Sequence, residues 1–164
     1  MRRSKKASSI RRGFEYQDHV GALKVLEMLD HPGQPQVWLE SDDGIHVDDI
    51  RVDNGQVVEW YQVKFSTASD DEVSFGSLLE HPGGKQTRRS IWQKFADSWR
   101  RLHAGSPSRP IELHLYSNRG AASGDLASVI DPETGRLDSQ ALAGSNLATI
   151  HSDLLRESGL QPAE

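Results

Sequence analysis

The chain has 164 residues, 35% of them hydrophobic, with four Trp, four Phe and three Tyr, which is enough for one domain with a proper core. It contains no cysteine, which excludes a disulfide framework and any Cys-based zinc site. No apolar run approaches the ~18 residues of a membrane span and no signal-peptide segment opens the chain, so the expected location is the cytoplasm.

Net charge is −5, unevenly spread. Six of the first twelve residues are basic (Arg2, Arg3, Lys5, Lys6, Arg11, Arg12), leaving 13 basic against 24 acidic side chains in the remainder. Residues 1–12 therefore read as a basic arm, either a solvated tail or a phosphate-contacting segment. A second basic group, Lys85, Arg88, Arg89 and Lys94, with Arg100 and Arg101 beyond, reads either as an ordinary polar helix face or as a nucleic-acid contact surface.

In chain order, residues 13–29 predict a helix. Ala22, Val25, Leu26 and Leu29 form an i, i+3, i+4, i+7 stripe, and His31-Pro32-Gly33 stops it. Strands are expected over 37–40, 46–52 and 57–65, the last containing VVEWYQVKF. Asn54-Gly55 marks a hairpin between the second and third. Residues 69–84 are polar and glycine-punctuated, with one helical turn expected near Leu78-Leu79. A second amphipathic helix is expected over 87–103, burying Ile91, Trp92, Phe95, Trp99 and Leu102, and it stops at Gly105-Ser106-Pro107. IELHLY (111–116) alternates as a strand. Asp131 to Gly135 is a turn, and 139–157 is expected to be one helix or two. This order gives an α/β domain with a central mixed sheet flanked by helices.

The residues that point to chemistry lie on the second and third expected strands. Strand side chains alternate, so Gln62 and Lys64 share one face while Val63 and Phe65 share the other. The hairpin sets Asp48-Asp49 opposite that pair. Ile50 and Val52 share the parity of Asp48, which makes that face core and favours Asp49 as the outward carboxylate; a bulge would reverse the choice. A lysine in this apolar strand calls for a partner, because a lone buried charge is strongly disfavoured. The alternative is an edge lysine reaching solvent. A carboxylate, an amide oxygen and a lysine on one face suit a hard divalent cation and a phosphate group. Glu59 has the opposite parity and is excluded from this site. Supporting acids are Glu40, closing the first strand, and Glu15, which falls in the middle of the apolar stripe of the first helix. Glu15 admits two readings: a charge favoured by the helix N-terminus, or a carboxylate aimed at the metal. On spacing alone, Gln17 lies on the far side of that wheel and reads as surface polar.

Taken together, Arg12-Gly13-Phe14-Glu15-Tyr16-Gln17, Glu40, Asp48-Asp49-Ile50, Gln62-Val63-Lys64 and Leu115-Tyr116-Ser117-Asn118 resemble the Mrr-like PD-(D/E)xK nuclease domains of bacterial antiphage systems. In particular they resemble the N-terminal endonuclease domains of CD-NTase-associated effectors. The resemblance covers residues 12–120. Gln62 departs from the acid usual in the wider superfamily but matches the Gln-x-Lys form of this branch. The resemblance implies a restriction-endonuclease-like core over 13–164 and cleavage of double-stranded DNA with Mg²⁺, for which Mn²⁺ is the expected substitute. It implies Asp49, Gln62 and Lys64 as the catalytic core, with Glu15 or Glu40 as the supporting acid and metal ligand. Arg12 and Gln17, together with Lys85, Arg88 and Arg89, are the expected DNA contacts. It further implies homo-oligomerisation on activation and a sensor or ATPase domain or subunit outside this chain, which would then be the N-terminal part of a longer effector. The alternative is a catalytically inactive nuclease fold used for nucleic-acid binding or assembly. An RNase with the same residues would read alike.

Overall fold

Period-two alternation in the middle of the chain produces a four-stranded sheet. The computed structural model describes residues 5–68, 72–85, 87–104, 107–123, 126–138, 154 and 156, with side chains from residue 8. Its elements are α1 (Lys5–Met28), β1 (Gln36–Leu39), β2 (Ile50–Asp53), β3 (Val58–Lys64), α2 (Phe75–Leu79), α3 (Ile91–Ala104) and β4 (Ile111–Ser117), with short 3-10 turns at Asp42–Gly44, Pro82–Gly84 and Leu126–Val129. No described helix is long and apolar enough to cross a membrane. The expected 139–157 helix falls outside the described residues, apart from Leu154 and Arg156, both helical.

Two compact units are formed, one from 1–69 with 97–118 and the other from 70–96 with 119–164. The first holds the sheet, in the order β1-β2-β3-β4. β1, β2 and β3 form an antiparallel meander, and β4 joins β3 in parallel. Asn54 makes the turn between β2 and β3, its side-chain oxygen accepting from the N–H groups of Gln56 (2.9 Å) and Val57 (2.8 Å). On one sheet face, Ile50, Val52, Tyr61 and Val63 pack with Val20 of α1, and Tyr16, Met28, Val37 and Tyr116 lie around them.

That packing corrects the face expected for α1. The helix begins eight residues earlier than its periodicity indicates, and it buries the arc of Tyr16, Val20 and Met28. Val25, Leu26 and Leu29 are 47%, 61% and 70% exposed, along with Ile10 and Phe14. The helix carries two apolar stripes, and close approach decides between them. Gly21 meets the Leu39 side chain where a Cβ would stand only 2.6 Å from Cδ2, so this face can lie nearest β1.

On the other sheet face, Val47 and Trp60 are buried. The Trp60 ring lies against Gly44, where a Cβ would sit 2.7 Å from the ring. Ser98 of α3, fully buried, donates to the Gly44 carbonyl (2.7 Å) and accepts from His46 N–H (3.3 Å). These bonds pin the loop before β2, which is why β2 starts at Ile50 and not at His46. Trp99, expected in the core, is 39% exposed and packs on His103 one turn later.

In the second unit, Val73, Phe75, Leu78, Leu126, Val129 and Leu154 are buried. Ser74 caps α2 reciprocally with Ser77, and the Trp92 indole N–H donates to the Leu154 carbonyl (2.8 Å). Asp131 makes the expected turn by accepting from Glu133 and Thr134 N–H.

Candidate active site

Asp49 lies one step beyond the paired part of β2. Its register continues that of Ile50 with Tyr61, so it stands across from Gln62. One carboxylate oxygen, Oδ2, accepts from the Gln62 side-chain amide and from the Val63 backbone N–H (2.6 Å). No hydrogen bond among the described residues reaches Asp49 Oδ1 or Gln62 Oε1. Asp49 Oδ1 and Gln62 Oε1 are the acceptor atoms this pairing leaves over, and an oxygen-only donor set fits a hard cation such as Mg²⁺. Gln62 is 6% exposed, so its amide orientation is fixed by Asp49 and not by solvent. Lys64, half-buried, follows two residues later on the same face.

Four neighbours hold this arrangement. Glu40 N–H donates to the Asp49 carbonyl (2.9 Å) and Ser41 N–H to the Asp48 carbonyl (2.8 Å), so the β1–β2 ladder runs on past both strand ends. Gln17 of α1 donates to the same Asp49 carbonyl at 3.5 Å. It is therefore not a surface residue but the point where the first helix meets Asp49. Asn118 grips the chain just after Lys64: its Oδ1 accepts from Ser66 N–H (2.9 Å) and its Nδ2 donates to the Ser66 carbonyl (2.8 Å).

The remaining expected site residues are placed as follows. Glu40 is exposed, at a positive φ of 53°. Glu15 pairs with Arg11 at 2.7 Å and is half exposed, since it lies on the outer arc of α1. Arg12 is exposed. Lys85, Arg88 and Arg89 are exposed in the second unit.

The same sheet face carries two arginines that sequence reasoning passed over. Arg109 grips Asp53 through Nη1 and Nη2, with Nη2–Oδ2 at 2.7 Å. Arg51 lies over the rings of Trp38 (4.3 Å) and Trp60 (5.2 Å). Together with Trp60, Leu102 and Ser108 they line a groove of about 280 Å³. The hydrogen bonds from Arg109 hold the Asp53 carboxyl below its ordinary pKa, against the opposing effect of burial.

A scan of family models matches residues 8–148 to the Cap4 double-stranded DNA endonuclease domain. The chain belongs to this family. It is a DNA endonuclease domain of antiphage defence, and the mixed sheet with its flanking helices is the fold that carries that activity here. No curated protein and no solved structure matches the chain.

Besides the Asp49 site, the Cap4-type domain holds a group of possible metal ligands. Glu59, Glu112 and His114, all half-buried, place their ligand atoms within 4.8 Å of one another. They lie on β3 and β4, on the face of Tyr61 and Val63. The parity that excluded Glu59 from the Asp49 site is therefore the parity that brings it to these two residues. The signal was present in the sequence as Glu112-x-His114, but only the parallel register shows what faces it.

Proposed function

We propose that this domain cuts double-stranded DNA by metal-dependent hydrolysis of the Mrr-like PD-(D/E)xK type, in its Gln-x-Lys form, with Asp49, Gln62 and Lys64 as the catalytic core. The observation that carries this reading is the Asp49 carboxylate, locked by Gln62 and Val63 N–H with Lys64 on the same face. Asp49 Oδ1 and Gln62 Oε1 would hold the Mg²⁺, or Mn²⁺ in its place. Glu40, whose N–H bonds the Asp49 carbonyl, would serve as the auxiliary acid; Glu15 would have to leave Arg11 to serve. When bound, the ion polarises the phosphate and lowers the pKa of water. Lys64 orients the attacking water and offsets the negative charge that grows on phosphorus. Gln17 fixes the height of Asp49, and Arg12 contacts the DNA backbone beside it. Lys85, Arg88 and Arg89 supply further phosphate contacts. With a net charge of −5, DNA binding would rest on local basic residues, aided by the metal. Activation proceeds by self-association, under a sensor or ATPase domain or subunit outside these 164 residues.

The test is plasmid cleavage over a protein concentration series with Mg²⁺, using EDTA, Lys64→Ala and Asp49→Asn as controls. Each variant is expected to lose at least ~10²-fold in rate, and a rate rising faster than first order in protein would report self-association. Cleavage that persists in both variants overturns the assignment of the site. Metal-independent DNA binding with no cleavage, in Mg²⁺ or Mn²⁺, would instead make this a binding module.

A further inference from the structure

Glu59, Glu112 and His114 are set by register, not by chance proximity. β3 and β4 run parallel, with Glu59 beside Glu112 and Tyr61 beside His114. Alternation puts all three side chains on the face covered by α1, the opposite face from Gln62 and Lys64. Their surroundings include the buried Val52, Tyr61 and Val63. Two carboxylates this close on a half-buried surface repel each other unless a positive charge lies between them.

We propose that Glu59, Glu112 and His114 form a second metal site, for a Zn²⁺-class ion, that ties β3 to β4. The donor set selects the ion. One imidazole nitrogen with two carboxylate oxygens suits zinc and its neighbours, whereas Mg²⁺ prefers oxygen alone. The spacing agrees. His114 Nε2 lies 3.4 Å from Glu112 Oε2, too long for a strong charge-assisted hydrogen bond. Two ligands each roughly 2.0–2.2 Å from one tetrahedral ion stand about 3.3–3.6 Å apart.

Support from outside the trio orients two of the ligands. The Tyr61 hydroxyl donates to Glu59 Oε2 at 2.7 Å, and its ring stacks on the His114 imidazole at 4.6 Å and 15°. Metal ligands characteristically receive this kind of secondary support. Lys24, whose amine lies over the Tyr61 ring (4.8 Å), is engaged by Glu27 at 2.8 Å. The site contributes no group to the phosphate-facing side of the sheet, so its role is to fix the strand that carries Gln62 and Lys64.

The experiment reads metal binding and not cleavage, so it stands apart from the nuclease mechanism. Chelator-treated protein is titrated with Zn²⁺ and with Co²⁺, then passed through gel filtration for metal analysis and absorption spectroscopy. Wild type and Asp49→Asn are expected to retain one equivalent, with a visible Co²⁺ band and a Tm raised by Zn²⁺. Glu112→Gln and His114→Gln should bind at least ~10-fold more weakly and lose the Tm rise. Their metal-free Tm and circular dichroism serve as the check on folding. Equal retention by the variants, retention lost in Asp49→Asn instead, or no retained metal in wild type overturns the proposal.

Discussion

Asp53 accepts from Arg109 and from Gly55 N–H (3.0 Å), and the lowered pKa that results has a consequence for acid stability. A carboxyl whose folded pKa is below its unfolded value, about 3.9, stabilises the protein at pH above that value. The contribution is lost as pH falls through the folded pKa. Asp53→Asn should therefore lower Tm at pH 7 and flatten the fall in Tm below about pH 4, as measured by thermal melts across that range. Asn118 acts differently, holding the end of β3 by two hydrogen bonds to Ser66. Asn118→Ala should cost about 1 kcal/mol, the low end for two exposed bonds, read from the urea midpoint. Of the candidate site, the facing of Asp49 and Gln62, with Lys64 on the same side of the sheet, was legible in the sequence, because side-chain parity in a strand survives without tertiary knowledge. What Glu15 and Gln17 touch was not legible. That depends on how α1 is rotated on the sheet, and a helical wheel fixes relative but not absolute angle.

At the level of elements, α1 offers a direct test of that rotation. Val20 is 3% exposed and Leu26 61%. Val20→Ala should cost about 2 kcal/mol through lost burial and the cavity left behind. Leu26→Ser should stay within about 0.5 kcal/mol of wild type, measured by urea denaturation. Equal costs would mean that the outer stripe is covered. The strands were readable because period-two runs bounded by turn residues are local signals, and β1, β3 and β4 lie within about a residue of their expected places. β2 was misread at its start, because its first expected residues are held in a loop by Ser98, 52 and 54 positions away in sequence. Trp99 was misplaced for a related reason. The small Ala96 and Ser98 are the buried positions of α3, and the large ring of Trp99 beside them remains outside.

On the scale of the whole molecule, the family match over 8–148 takes in residues of both compact units, so neither unit alone accounts for the endonuclease domain. The fold class was legible because helix, three strands, helix, strand leaves few right-handed, unknotted arrangements. The joining of β4 to β3 also sets an order of assembly. β1, β2 and β3 connect through short loops and can pair early, whereas β4 reaches β3 only after a loop over 65–110 has closed. For a loop of that length the closure entropy costs about 3 kcal/mol, and such distant pairings form slowly. Until then, the strand that carries Gln62 and Lys64 is the open border of a three-stranded sheet. The strand of the candidate site is thus the chain's most aggregation-prone edge while folding proceeds.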